Sequence, residues 1–171
     1  TITKNDCDDS DTTFIVNNAF TTNIVSSETV CGDVASLSAS PPTDGLWTVE
    51  TGPGNVDDPN KVNTTVRNLQ YGNNELIWTA NQNGCTDQDT IVIDNRLVYA
   101  NAGADRTVCA DSVVLNADDV GGSGLWTRDF GSADIVTPSA YNSVVRNLEQ
   151  GRNEYRWTLN KDGCSDADNV K

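Results

Sequence analysis

The chain carries nearly the same run of landmarks twice. Thr29-Val30-Cys31 recurs as Thr107-Val108-Cys109, Gly45-Leu46-Trp47-Thr48 as Gly124-Leu125-Trp126-Thr127, and Val66-Arg67-Asn68-Leu69 as Val145-Arg146-Asn147-Leu148. Trp78-Thr79 returns as Trp157-Thr158 and Gly84-Cys85 as Gly163-Cys164. The offset is 78 residues at the first cysteine and 79 from the first Trp onward, so one inserted residue separates the copies, in the loop before Trp126. A fixed period of this size is the signature of stacked copies of one folding unit. Thr1 to Cys7 aligns with Thr79 to Cys85, and Asp9-x-Asp11-Thr12 with Asp87-x-Asp89-Thr90. Three segments follow: 1–20 as the C-terminal strand of a truncated preceding repeat, 21–97 as one repeat, and 98–171 as a second with a short final strand.

Within a repeat, short alternating runs are broken by turn residues. Val34 to Ala39, Gly45 to Val49, Thr64 to Leu69, Glu75 to Ala80 and Thr90 to Ile93 read as strands. Asn83-Gly84 and Asp162-Gly163 are hairpin dipeptides, because a tight two-residue turn needs positive φ at both positions. Leu69-x-x-Gly72-x-Asn74 and its twin Leu148-x-x-Gly151-x-Asn153 suit the corner where the chain crosses between sheets. About seven strands in about 79 residues predict an all-β fold, a tandem of Greek-key β-sandwich repeats. Trp47, Trp78, Trp126 and Trp157 form two matched pairs and are expected to fill the two small cores rather than to serve as sugar platforms.

Charge and residue types narrow the function. With 25 Asp and Glu against 11 Lys and Arg, the net charge of -14 argues against nucleic acid and anionic membranes as partners. No apolar run is long enough to insert in a membrane, and Thr1 to Asn5 has no signal-peptide character, so any export signal or anchor is expected outside this segment. The chain has no histidine, which removes Ser-His-Asp, Cys-His and HExxH chemistry; no enzyme activity is expected. Asp87, Asp89, Asp166 and Asp168 recur after the hairpins and, with Asp105, are candidate calcium ligands, hard oxygen donors in clusters. The plainer reading is that Asp favours turns and strand ends. No other cofactor is expected.

Five cysteines on an acidic, turn-rich chain point to an oxidising compartment. Pairing within each repeat, Cys31 to Cys85 and Cys109 to Cys164 with Cys7 left as the orphan, would stabilise each module by roughly 4 kcal/mol through loop closure. The competing scheme joins Cys7 to Cys31 and Cys85 to Cys109, leaving Cys164 over. Parity does not separate the two.

The order TVC, GLWT, VxNLxxGxN, WT and NGC or DGC resembles the Ig-like or PKD-like repeats of large Bacteroidetes cell-surface proteins, including gliding-motility adhesins secreted by the type 9 system. Ala102-Gly103-Ala104-Asp105 matches the AGxD opening of PKD-like modules, whereas the first copy has Phe20 to Ile24 there. The resemblance implies a stalk or adhesin segment at the bacterial surface, extracellular, with neighbouring repeats as its partners and surface polysaccharide as a further candidate. Polysaccharide binding by the repeats themselves, and a donor-strand-linked subunit of an extracellular fibre, are the alternatives. Thr12, Thr90 and Ser112 lie in D-S/T motifs similar to the O-glycosylation acceptors of that phylum, and Asn63-Thr64-Thr65 is a formal N-glycosylation sequon.

Overall fold

The computed structural model describes residues 2–4, 7–24 and 28–171, and for 2–4 and 7–9 the backbone alone. All regular structure among the described residues is strand. A short hairpin, β1 (Ile2–Lys4) and β2 (Cys7–Asp9), precedes the first module and pairs Lys4 with Cys7. That register matches Gln82 with Cys85 one repeat later.

The first module contains β3 (Glu28–Val30), β4 (Ala35–Ser38), β5 (Gly45–Thr51), β6 (Asn55–Val56), β7 (Asn63–Arg67), β8 (Gly72–Gln82) and β9 (Cys85–Asn95). One sheet runs β3-β9-β8-β5 and the other β4-β7-β6, with β3 parallel to β9 and every other pairing antiparallel. This is the immunoglobulin-like arrangement, a two-sheet sandwich in which the opening of the chain contributes to both sheets. Ile24 bridges Ala39 at the edge of the second sheet before Glu28 to Val30 joins the first.

The second module repeats the plan with β10 (Ser112–Val114), β11 (Ser123–Phe130), β12 (Asp134–Ile135), β13 (Val144–Arg146), β14 (Glu154–Lys161) and β15 (Cys164–Val170). Its sheets run β11-β14-β15 and β10-β13-β12. The strands are longer than expected at the final hairpin, where β8 and β9 each extend over 11 residues instead of the apolar centre alone. Backbone pairing continues through polar residues up to the Asn83-Gly84 turn, whose φ values of 51° and 79° are those of the tight hairpin predicted for it. The extra residue of the second copy falls between Ala117 and Gly124. There Val120-Gly121-Gly122 replaces the cis Pro41-Pro42 turn of the first copy.

Each module has its own core, one built on Leu37, Trp47, Val66, Leu76, Trp78, Ile91 and Ile93, the other on Leu115, Trp126, Val145, Tyr155, Trp157 and Leu159. The alternation of strands puts Leu76, Trp78 and Ala80 on one face of β8, all fully buried. The tryptophans of a pair occupy neighbouring strands of one sheet as register partners: Trp47 lies opposite Trp78 and Trp126 opposite Trp157, with ring centroids 5.2 and 5.1 Å apart. Gly45 makes room for this pair, since a Cβ there would sit 2.6 Å from Cζ2 of Trp78. The indole N–H groups of Trp47 and Trp126 donate to the carbonyls of Lys61 and Tyr141.

The corner before the second Trp strand is held by an asparagine. Asn74 is buried and its amide donates to the carbonyls of Gln70 and Gly72 at 2.9 Å, while its oxygen accepts from the Gln70 N–H. The Asn153 amide likewise donates to the carbonyls of Glu149 and Gly151, while its oxygen has no partner among the described residues. A single side chain thereby satisfies the backbone groups that a sheet-crossing turn leaves unpaired.

Candidate functional site

The feature that ties the two modules together is their junction. Cys31 follows β3 at the base of the first module, and Cys164 opens β15 beside the Asp162-Gly163 turn of the second. The two form a disulfide with Cα atoms 5.4 Å apart, closing a loop across 133 positions of sequence. Around it, the Cys164 sulfur lies 3.9 Å from the Val30 carbonyl and the Cys31 sulfur 4.0 Å from that of Gly163, while Arg96 reaches the Asp162 carbonyl at 3.5 Å. Arg96 is held in place by Asp94, which it contacts at 2.7 Å, and that carboxylate raises the guanidinium pKa further.

This pairing replaces both schemes read from the sequence. The reason is register. Because β3 runs parallel to β9 and Val30 stands beside Asn95, Cys31 sits past the C-terminal end of β9 while Cys85 sits at its start. Ten residues of strand at about 3.3 Å each separate them by roughly 33 Å, far beyond the Cα spacing of about 7 Å that a disulfide tolerates. The same holds in the second module. Arg106 donates to the Lys171 carbonyl, so Cys109 lies near the far end of β15 from Cys164. Cys85 and Cys109 are free thiols, the first half-buried and the second exposed. The side chain of Cys7, read as the orphan, lies outside the described residues.

The acidic pairs have a different place from the one expected of a shared ion site. Asp87 accepts the Thr22 N–H at 2.9 Å and Asp89 the Ile24 N–H at 2.6 Å; one repeat on, Asp166 accepts from Ala100 at 2.8 Å and Asp168 from Ala102 at 2.9 Å. Asp105 accepts the Lys171 N–H at 2.8 Å. The carboxylates pin the opening segment of each module along its last strand, where side-chain acceptors stand in for backbone carbonyls. Phe20 to Ile24 and the AGxD copy differ in sequence yet are pinned at equivalent positions, Thr22 and Ile24 in the first module and Ala100 and Ala102 in the second. Among the described residues, no three His, Cys, Asp or Glu side chains converge on a point that would hold a metal ion.

Of the other candidate residues, Thr12, Thr90, Ser112 and Asn63 are exposed, and the four tryptophans are buried. Beside the junction a cleft of about 590 Å³ is lined by Pro53, Asn68, Leu97 and two exposed tyrosines, Tyr71 and Tyr99. Neither tyrosine has an aromatic counterpart in the other repeat, so the repeat pattern gave no sign of them.

No family model and no curated protein matches the chain. Among solved structures it is similar to extracellular domains 3–5 of Drosophila OTK, at 14 % identity over 86 % of this chain and 58 % of that one, with a TM-score of 0.37. It is also similar to the I-band fragment I67–I69 of titin, at 12 % identity over 86 % of this chain and 62 % of that one, with a TM-score of 0.38. The chain thus spans about three fifths of the length of these two structures. At such scores the assignment of immunoglobulin-like modules rests on strand order and register, to which these likenesses add nothing.

Proposed function

We propose that this chain is a structural segment of an extracellular repeat array, a stalk whose modules are locked to one another instead of hinging freely. The observation that carries this reading is the Cys31–Cys164 bond, which joins two separately cored modules. A disulfide placed there leaves each core as it is and fixes the angle between them. Its existence also suits an oxidising, extracytoplasmic setting. The finer placement, a non-enzymatic adhesin stalk on a bacterial surface of the gliding-motility kind, rests on the motif resemblance and on the lack of histidine-based chemistry. Small-angle scattering with and without reductant tests the core of the proposal. A single narrow distribution of inter-module distances should broaden on reduction while both modules stay folded. An unchanged distribution would remove the locking role.

A second reading is favoured by the cleft at the junction. Tyr71 and Tyr99 offer exposed aromatic faces beside polar Asn68 and Asp33, the chemistry that stacks on and hydrogen-bonds to sugar rings. Affinity electrophoresis in gels containing polysaccharide should show retardation that Tyr71→Ala and Tyr99→Ala abolish. Migration equal to that of the double variant would dismiss it.

A further inference from the structure

Tyr71 and Tyr99 line one cleft but belong to different modules. Tyr71 lies between Gln70 and Gly72, whose carbonyls both accept from the buried Asn74 amide of the first module at 2.9 Å. The residues ahead of it are fixed to that module as well, since the Leu69 N–H donates to the Asp33 carbonyl and the Leu69 carbonyl accepts from Asn95. Tyr99 lies between Val98, which is buried in the core of the second module, and Ala100, whose N–H is held by Asp166 at 2.8 Å. The chain changes modules between Leu97, whose N–H donates to Asn95 Oδ1, and Val98. The spacing of the two aromatic walls is therefore an inter-module distance.

What holds that distance, apart from the Leu97–Val98 linkage, is the Cys31–Cys164 bond. Asp33, in the wall of the cleft, follows Cys31 after a single glycine. The Arg96 contact to the Asp162 carbonyl also crosses the joint, but at 3.5 Å it is too long to fix the joint by itself.

The repeat frame requires neither aromatic. Gln150 stands at the position of Tyr71 in the second module, and Thr21 at the position of Tyr99 ahead of the first. Tyr71 and Tyr99 are nonetheless 65 and 73 % exposed. Water-facing rings beside hydrogen-bonding Asn68 and Asp33 suit the C–H faces and hydroxyls of a pyranose. Charge then selects among sugars. Asp33 is the charged residue of the cleft, the nearby guanidinium of Arg96 is taken by Asp94 at 2.7 Å, and the chain carries a net charge of -14. Uronate and sulfate groups would meet repulsion there with no cation to offset it. We propose that the cleft takes a neutral pyranose polysaccharide, and that it does so only while the Cys31–Cys164 bond is closed. This rests on the sugar-binding reading of the cleft, to which it adds a ligand class and a redox gate.

The gate works through reach. An added dithiol supplies two electrons and two protons, leaves Cys31 and Cys164 as thiols, and closes to its own disulfide. The modules are then joined through the Leu97–Val98 linkage, and the two tyrosines move with separate bodies. A gap of about 1 Å forfeits up to about half of a contact's dispersion attraction. A sugar chain spanning both rings must then give up one of them or order the joint itself on binding.

Free thiols, Cys85 and Cys109 among them, are first blocked with iodoacetamide, so that the dithiol acts on the staple. Affinity electrophoresis is then run in gels containing laminarin, mannan, hydroxyethyl cellulose or alginate, with and without dithiothreitol. A Cys31→Ser/Cys164→Ala variant supplies the open form without reductant. The oxidised chain should be retarded by at least one of the three neutral polymers and not by alginate. In the open forms its dissociation constant should rise about tenfold, the factor that corresponds to the ordering cost of one side chain. Reoxidation by glutathione disulfide should restore binding, and Trp fluorescence should show both cores folded throughout. Equal retardation of closed and open forms would overturn the gate and leave the sugar reading standing, whereas retardation in alginate would overturn the ligand class. Absence of retardation in every gel would overturn the proposal and the sugar reading together. Loss of the folded Trp signal on opening would also overturn it, because the bond would then be holding the fold and not the cleft.

Discussion

The Asp166 carboxylate accepts the backbone N–H of Ala100 at 2.8 Å, tying the first residues of the second module to its last strand. Hydrogen bonds to a charged acceptor contribute about 1.5 to 3 kcal/mol, and half exposure reduces that. Asp166→Ala is expected to lower stability by about 1 kcal/mol, and Asp166→Asn, which keeps an acceptor oxygen, by less. Thermal unfolding of the two variants checks the order. If pinning is the whole role of these residues, adding calcium to chelator-treated protein leaves the melting temperature unchanged; a rise would assign them a metal as well.

Gly45 lies against the ring of Trp78 with no space for a methyl group. Gly45→Ala is expected to cost about 1 to 3 kcal/mol through overpacking. Near-ultraviolet circular dichroism should show the Trp47–Trp78 contribution altered. The neighbouring Thr48→Ala, outside the pair, serves as the control and should leave it intact.

The corner asparagines should rank by burial. Asn74 is nearly inaccessible, and removing its amide strands the carbonyls of Gln70 and Gly72. Asn74→Ala should destabilise the first module by about 2 to 4 kcal/mol, since several buried polar groups lose their partner at once. Asn153→Ala should cost less, because Asn153 is half-exposed. Chemical denaturation of both variants, read by Trp fluorescence, gives the comparison.

Tyr155 provides a pH signature. Burial pushes its phenol above the ordinary value, an effect that nearby Arg128 partly opposes. In the unfolded chain the phenol ionises near pH 10, so the folded state holds the proton more tightly. The resulting stability is fully present below about pH 10 and is lost as pH rises through the unfolded and then the folded value. Tyr155→Phe should flatten this alkaline loss and should not destabilise at neutral pH, since the hydroxyl has no partner to lose. Denaturant midpoints at pH 7 and pH 10.5 measure both effects.

The repeat, the strand class, the hairpin turns, the sheet-crossing corner and the place of the inserted residue were all legible in the sequence, because each is written in local residue types. Asn-Gly and Asp-Gly announce positive φ, and alternating apolar residues announce a half-buried strand. The disulfide was not legible. Pairing Cys31 with Cys85 assumes that the two lie near each other in one module, and only the parallel register of β3 on β9 shows them at opposite ends of the same strand. The role of the acidic pairs as pins was not legible for a related reason: Asp87 and Asp89 accept from backbone N–H groups 65 residues earlier, and no local motif encodes such a contact.

Where the Cys31–Cys164 bond sits also decides which parts of the molecule feel a pull. Tension applied between residue 10 and Lys171 would travel along the opening segment to Cys31, cross the sulfur bridge, and leave through β15. Residues 32–163, which include most of both cores, lie on a bypassed loop and cannot contribute contour length until the bond is reduced. Under oxidising conditions the segment would behave as a nearly inextensible tether, its folded mass hanging beside the line of force instead of in it.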